Sequence, residues 1–396
     1  MGGEGKWIRL VPIWFFLARV VLFLSLTFEG VRGYTDYWNY FSLAGIGWPY
    51  FDFWVEYPPV FPFLISIVYR LVGGSEHGFV YVMVLLSSAA QAVGLGLFIA
   101  IGQEFFGEEV MTRRVGWYTA LLVGLFYGWG FIDSFVVAAL LAGLFWLTKS
   151  KNVETRTSEF SSKKFENLAG IVLGVGGLLK WFPLLALAAV WRYVSPQRAA
   201  RITVWAVGMV AAVFAVLYLA SPDLTVASIR AQGIKVSWQS VWALMDGNVK
   251  TGNFGTDLDF TDPATAEIST ANPARIPRWL TLLPFVGLGL WLFSRARLET
   301  ARGAVAFTGL TLSIFMLWSP GWSPQWSLYF LPLILLALRE RVAVLMGIVW
   351  VGINLLEWPL LLSRGWFIGL WLVIPVRTLL LVLLAVEFWR SCEKSA

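Results

Sequence analysis

Long apolar runs alternate with short polar or basic breaks over most of the 396 residues. Because a helix needs ~20 apolar residues to cross a bilayer, this pattern predicts an all-α polytopic membrane protein with roughly 10–12 transmembrane helices. Several runs are short, so 115–148 and 167–191 are expected either as pairs of short helices or as single long ones. The predicted crossings are residues 9–29, 78–101, 115–131, 133–148, 167–179, 181–191, 202–220, 279–294, 303–318, 325–338, 341–358 and 366–388.

Two polar segments are too long to be simple turns, and they organise the chain. They are residues 30–77 and 221–278. Within the first, residues 60–73 are too short to cross and are predicted to form an amphipathic helix in the interface. Residues 149–166 are Ser/Thr-rich and predicted to be a polar loop. The predicted organisation is an N-terminal module (1–220), a second outer loop (221–278) and C-terminal transmembrane helices (279–396).

Basic residues indicate which side of the membrane each break faces. Most of the 30 Lys and Arg residues fall at alternate ends of the predicted helices, including Lys6, Arg9, Arg113 and Arg114. The positive-inside rule makes that side cytoplasmic and places both termini there. The first apolar run is interpreted as an uncleaved signal anchor. Both long loops then share the outer, extracytoplasmic face of a cell membrane.

Composition narrows the chemistry available to the chain. Hydrophobic residues make up 58% and charged residues 14%, and the 23 tryptophans suit a membrane boundary. The one cysteine, Cys392, excludes an intrachain disulfide, and with the one histidine, His77, it cannot build a Cys/His zinc site. We expect the chain to be surrounded by membrane lipids, to have no nucleic-acid partner and to hold no resident metal. Binding of a divalent cation is the alternative, because carboxylates lie close together in sequence.

The segment from Gly33 to Pro59 concentrates polar chemistry directly after the first apolar helix. It contains Asp36, Asp52 and Glu56 among many aromatic residues, including Tyr57. A carboxylate can accept a proton from a hydroxyl, and aromatic rings can stack on sugars. The segment is interpreted as an active-site loop. The alternative for Asp36 is a helix cap or a solvated loop carboxylate, and Asp52 and Glu56 could serve only to hydrogen-bond the loop.

Two charged residues interrupt apolar stretches further along. Lys180 lies between Gly176-Gly177 and Pro183, which mark a helix break, and no acidic residue is near it in sequence. A charge between membrane segments suggests function, here binding of an anion such as phosphate; the alternative is snorkelling to the interface. Asp133 has a similar position at the start of a helix, where an N-cap is the competing interpretation.

The second loop and the late turns supply weaker candidates. Arg230 and Lys235 can bind a lipid phosphate or contact anionic headgroups without catalysis. Gln325 follows a Pro/Gly-broken aromatic turn and can hydrogen-bond a sugar or simply form the turn. Arg19 and Arg377 lie within apolar helices and are expected to pair with polar groups or line a cavity, whereas Glu357 lies near an outer helix end and is expected to be an interface carboxylate. Asp257, Asp259 and Asp262 are interpreted as solvated surface.

These motifs, in their order, resemble the GT-C superfamily of polyprenyl-phosphate-sugar-dependent glycosyltransferases, particularly polyprenyl- or dolichyl-phosphate-mannose mannosyltransferases. The resemblance rests on Tyr34-Thr35-Asp36 with Glu56-Tyr57-Pro58-Pro59, on Asp133, on the glycine-rich approach to Lys180, and on Ser319-Pro320 followed by Ser323-Pro324-Gln325. It spans most of the chain. It departs from the family where relatives carry a glutamate after Arg230 and where Trp38 stands in place of a second aspartate.

The resemblance implies a role for each candidate residue. Asp36 would be the catalytic base, Lys180, Arg230 and Lys235 would bind the donor phosphate, and the sugar or acceptor would contact Asp52, Glu56, Tyr57, Asp133 and Gln325. The reaction would be an inverting transfer of a sugar, expected to be mannose, to a hydroxyl of a glycan or glycolipid. Arabinosyl and glucosyl transfer, a flippase or transporter of lipid-linked sugars, and a non-catalytic membrane subunit are the alternatives.

Overall fold

The computed structural model describes residues 5–33, 35–125, 128, 130–154, 159–233, 235–249, 258–269 and 271–393. Regular structure over these residues is helical, and two isolated β-bridges do not extend into strands. The α-helices are α1 Gly5–Ile8, α2 Val11–Ser25, α3 Phe28–Arg32, α4 Tyr37–Ile46, α5 Val60–Leu71, α6 Glu76–Gly102, α7 Glu108–Gly124, α8 Asp133–Glu154, α9 Glu159–Leu179, α10 Leu187–Tyr193, α11 Pro196–Ala220, α12 Pro222–Gly233, α13 Val241–Asp246, α14 Arg278–Arg295, α15 Ala301–Trp318, α16 Ser327–Ala337, α17 Glu340–Leu355 and α18 Leu370–Glu393.

Within the described residues, six helices are long and apolar enough to cross a membrane. They are Glu76–Gly102, Asp133–Lys151, Pro196–Ala220, Ala301–Trp318, Glu340–Leu361 and Phe367–Glu393. Four shorter apolar helices accompany them: Val11–Ser25, Val60–Leu71, Phe182–Tyr193 and Pro324–Ala337. The predicted all-α, multi-pass class is confirmed. The predicted segment 115–148 is resolved as two helices, α7 and α8, while 167–191 contains α9, a 3₁₀ turn and α10.

The helices group into two compact units that are each discontinuous in sequence. The first comprises Met1–Leu184, Pro196–Gln232 and Phe260–Ala266, and the second comprises Leu185–Ser195, Gly233–Asp259 and Glu267–Ala396. The modules expected at 1–220, 221–278 and 279–396 remain a prediction about organisation.

In the first unit, α8 packs on α9, α9 packs on α11, and α6 packs on α8. Small residues permit the close approach: a Cβ at Gly143 would lie 2.5 Å from Leu173, and one at Gly170 would lie 2.6 Å from the Ile202 carbonyl oxygen. Membrane helices associate closely through such small residues because little hydrophobic force draws them together in lipid. This packing determines where the N-terminus of α8 and the C-terminus of α9 lie.

The expected polar loop at 149–166 is wrong over the described residues, because α8 continues to Glu154 and α9 starts at Glu159. Buried polar contacts explain this difference. Glu166 is buried and accepts hydrogen bonds from Ser162 (3.1 Å) and Arg198 (2.6 Å), and Arg198 also reaches Ser150 (3.2 Å). Polar side chains that look solvated in sequence therefore join three helices.

The two predicted outer loops contain helices of their own. The first includes α4 and α5, and α5 confirms a short helix where residues 60–73 were expected to form one. The second includes α12 and α13.

In the second unit, α15 packs against α16, α18 and α10. α16 is buried along its whole length.

Candidate functional site

Asp36 lies at the start of α4, yet its side chain does not cap that helix. Its backbone carbonyl accepts the first helical hydrogen bond, from the Tyr40 amide (3.0 Å). The carboxyl group instead hydrogen-bonds the Tyr40 side chain, one turn along α4. The helix-capping alternative for Asp36 is therefore wrong, and the carboxyl is held by a buried tyrosine.

Close contact between two segments brings Asp133 to the neighbourhood of Asp36. The Thr35 hydroxyl donates to the Arg32 carbonyl (2.9 Å), which fixes the chain just before Asp36. Gly130 lies against Thr35 so closely that any Cβ at this position would collide with the threonine side chain. The chain entering α8 can approach the first loop only because this residue is a glycine.

Lys180 follows the last residue of α9, and its amide donates to the Gly176 carbonyl (2.8 Å). A Cβ at Gly176 would meet Pro183 at 2.8 Å, so the glycine allows the chain to fold back after the helix. The ammonium group lies 2.9 Å from Oδ1 of Asp133, which is fully buried. The sequence offers no acidic neighbour to Lys180, but the fold supplies one from a distant position.

Glu56 and Tyr57 complete the group around Asp36. Tyr57 hydrogen-bonds the Tyr40 side chain, and its carbonyl accepts the Tyr50 hydroxyl (2.8 Å). Glu56 lies near enough to act electrostatically on the Asp36 carboxyl. The next residue back, Val55, donates its amide to the Ser228 hydroxyl of α12 (3.0 Å). A residue of the second polar segment thus holds the first polar segment in place close to Asp36.

The electrostatics of this group centre on one carboxyl. Burial, together with Asp133 and Glu56, raises the pKa of Asp36 to about 7, although Lys180 and the Tyr40 hydrogen bond act in the opposite direction. Burial also raises the pKa of Tyr40 and of Tyr57 well above the ordinary value, so both phenols are neutral near pH 7. The site combines a carboxyl that ionises near neutrality with a neighbouring ammonium group.

Such a pair is suited to moving a proton while an anion forms. A general base works best when its pKa lies near the operating pH, because it is then ionised yet still basic. Lys180 donates a hydrogen bond to Asp133, and the positive charge of its ammonium group also attracts an incoming anionic oxygen. Proton acceptance by Asp36 and anion stabilisation by Lys180 are the chemistry that this arrangement permits.

Two sequence candidates in the first unit lie at its surface. Asp52 is exposed and accepts the Trp48 amide (2.6 Å), a local turn contact. Arg230 is exposed in the last turn of α12. Its helix neighbour Gln232 accepts the Trp181 indole N–H (2.7 Å). Sugar binding by Asp52 and phosphate binding by Arg230 stay predictions.

Lys235 and Gln325 belong to the second unit. The Lys235 ammonium lies 5.9 Å from the Trp238 ring centre, and the Trp238 indole N–H donates to the Ser323 hydroxyl (3.3 Å). Gln325 is half-buried in the 3₁₀ turn Pro324–Trp326. Their roles toward phosphate and sugar also stay predictions.

Sequence reasoning missed Tyr40, which hydrogen-bonds both Asp36 and Tyr57. Its spacing of four residues from Asp36 was an available signal, since residues i and i+4 meet across one helical turn.

Among the described residues, no group of three or more His, Cys, Asp or Glu side chains is arranged to hold a metal ion. Asp257 lies outside the described residues.

Comparison with known proteins adds one structural similarity. No protein-family model and no curated protein sequence matches the chain. It is similar to the crystal structure of the oligosaccharyltransferase of Archaeoglobus fulgidus in its apo form, with a TM-score of 0.48 and 11% sequence identity. The match covers 98% of this chain and 56% of the archaeal one, so this chain spans little more than half of that length.

Proposed function

We propose that the chain is an integral-membrane inverting glycosyltransferase of the GT-C type, with a polyprenyl-phosphate sugar as donor and a hydroxyl group as acceptor. One observation carries the proposal: the half-buried Asp36 carboxyl, whose pKa is raised to about 7, shares its surroundings with the Lys180 ammonium group. An inverting transfer requires both functions in one site, one on each face of the anomeric carbon: a base that removes the acceptor proton and a cation that stabilises the departing phosphate.

The reaction is a single displacement. Asp36 takes the proton from the acceptor hydroxyl while the acceptor oxygen forms a bond to the anomeric carbon. The bond from that carbon to the phosphate oxygen breaks, and its electron pair leaves with polyprenyl phosphate. Lys180 stabilises the negative charge that develops on the leaving phosphate, and Asp133 orients Lys180.

The other candidates complete the proposal. Arg230 and Lys235 bind the donor phosphate, and Asp52, Glu56, Tyr57 and Gln325 bind sugar or acceptor hydroxyls, as the GT-C resemblance implies. Mannose is the proposed sugar, and a glycan or glycolipid is the proposed acceptor. The chain lies in a cell membrane with both termini cytoplasmic and the site on the extracytoplasmic face. Membrane-length helices suit this chemistry because the prenyl chain stays in the bilayer while its headgroup reacts.

The proposal is tested with the purified full chain in lipid nanodiscs. Polyprenyl phosphates carrying labelled mannose, glucose or arabinose are offered with a panel of glycan and glycolipid acceptors. We expect transfer from one donor to one acceptor class, with polyprenyl phosphate released in equal amount. In sealed vesicles, movement of the lipid-linked sugar across the bilayer without transfer would overturn the proposal in favour of a flippase.

Turnover should depend on pH through ionisation of Asp36. Its pKa is raised to about 7, so its active, ionised form is lost as the pH falls through that value. We expect kcat/KM to rise roughly tenfold between about pH 6 and about pH 8, because the ionised fraction of such a group rises by that factor. The measurement is the initial rate of transfer across this range at constant ionic strength.

The rise of kcat/KM with pH forms the limb of the pH profile that reports ionisation of Asp36. Two neighbours of Asp36 should move this limb in opposite directions. Lys180 lowers the pKa of Asp36, so Lys180→Gln should move the limb to higher pH. Glu56 raises that pKa, and Glu56→Gln should move the limb to lower pH. A limb that stays in place in both variants would show that another group is titrating.

A further inference from the structure

The second unit contains a cleft whose lining differs from that of the Asp36 group. It lies between α13, the chain entering α14 and the end of α15, and it is shallow and open to solvent, with an interior of about 20 Å³ that can admit a ligand hydroxyl group while the rest of the ligand lies over the mouth. Its lining includes Trp242, Asp246, Arg278, Thr281 and Trp318. All of these residues belong to the second unit.

The two indoles in the lining are held by hydrogen bonds from their ring nitrogens. Trp242 donates to the Leu317 carbonyl (3.1 Å) and Trp318 donates to the Arg278 carbonyl (3.5 Å). Each indole is half-buried, so part of its surface is open to the cleft. Immobilised aromatic surface binds a rigid apolar face at little cost in side-chain entropy.

One polar side of the cleft is a fixed carboxylate. Asp246 is 8% exposed, and its oxygens accept the Ser237 hydroxyl (2.6 Å) and the Arg275 amide (2.8 Å). Each bond engages a different oxygen of the carboxylate. Because a carboxylate oxygen has two lone pairs, each can still accept a hydrogen bond from a ligand.

The other polar group is the half-buried Arg278 guanidinium, which is attracted electrostatically to Asp246. Over the described part of the chain, no hydrogen bond occupies this guanidinium. Its fixed fork of N–H donors can therefore bind a ligand without breaking a hydrogen bond to any residue that the structure describes. The cleft offers donors and acceptors together, beside two indoles.

We propose that this cleft is a carbohydrate-binding subsite for an uncharged pyranose. The C–H face of the sugar packs on Trp242 and Trp318, while neighbouring hydroxyls accept from Arg278 and donate to Asp246. The Asp246 carboxylate favours an uncharged ligand over an anionic one. A phosphate headgroup would place negative charge beside Asp246 at a repulsive cost, whereas sugar hydroxyls use both polar groups. The subsite is independent of the chemistry assigned to Asp36.

The test is saturation-transfer NMR on the purified full chain in nanodiscs, with mannobiose as the sugar probe and glycerol phosphate as the anionic probe. We expect mannobiose to bind with millimolar affinity and to be unaffected by glycerol phosphate. Arg278→Gln should weaken binding about tenfold or more, since hydrogen bonds to charged groups carry that much affinity. Arg275→Gln is the matched control, because its exposed side chain does not line the cleft.

A second variant covers the case in which Arg278→Gln fails to fold. Met245, 43% exposed, also lines the cleft, and Met245→Trp should fill it and abolish the mannobiose signal. Absence of mannobiose binding to the wild type, equal binding by the Arg278→Gln and Arg275→Gln variants, or displacement of mannobiose by glycerol phosphate would each overturn the proposal. Because binding is read without turnover, these outcomes do not depend on whether Asp36 acts as a base.

Discussion

Asp36→Asn is expected to lower sugar transfer by about 10²- to 10⁴-fold, the usual contribution of a general base. The amide has nearly the shape of the carboxyl and still accepts the Tyr40 hydroxyl, but it cannot take a proton from the acceptor. Donor binding should persist, because Lys180 and its ion pair with Asp133 are unchanged. The measurements are single-turnover transfer and equilibrium binding of the labelled donor.

The matched control for this variant is Asp223→Asn, which removes an exposed carboxylate from the first turn of α12 in the same unit. It should transfer sugar at the wild-type rate. Equal transfer by the Asp36→Asn variant and the control would remove Asp36 from the mechanism. Loss of donor binding together with transfer would indicate instead that Asp36 shapes the site.

Arg377→Met is expected to destabilise the protein by about 3–5 kcal/mol, the usual cost of breaking a buried ion pair. Arg377 is 2% exposed; its guanidinium bonds the fully buried Glu357 carboxylate and the Gln239 carbonyl, and it lies 4.6 Å from the Trp322 ring centre. Removing it leaves a buried carboxylate uncompensated. Unfolding by sodium dodecyl sulfate in mixed micelles measures the change.

Two further variants separate the ion pair from simple loss of a side chain. The double variant Arg377→Met/Glu357→Gln should recover much of the stability, because it leaves no uncompensated charge. Arg364→Met removes an exposed arginine 5.3 Å from the Trp366 ring and should cost at most about 1 kcal/mol. If the single Arg377→Met variant unfolds like the Arg364→Met control, the buried pair does not stabilise the fold.

The hydrophobic pattern alone determined the class of the protein and most of its helices. The predicted crossing at 303–318 corresponds to α15 and that at 366–388 corresponds to α18, and both lie in segments long and apolar enough to cross a membrane. Helices of this kind can be read from sequence because a bilayer-length apolar segment satisfies its backbone hydrogen bonds internally, without distant partners. The candidate residues of the first polar loop could also be identified from the sequence, because Asp36, Glu56 and Tyr57 are close together along the chain.

Contacts between distant residues were decided only by the tertiary structure. Lys180 meets Asp133 because α8 and α9 pack closely, and Arg377 meets Glu357 within the second unit. The sequence singled out all four charges as unusual but did not pair them. The helical residues near 149–166 were missed because Glu166, which looks solvated, is buried against Arg198. Local patterns report which residues avoid water, whereas the partner of a buried charge depends on how the helices pack.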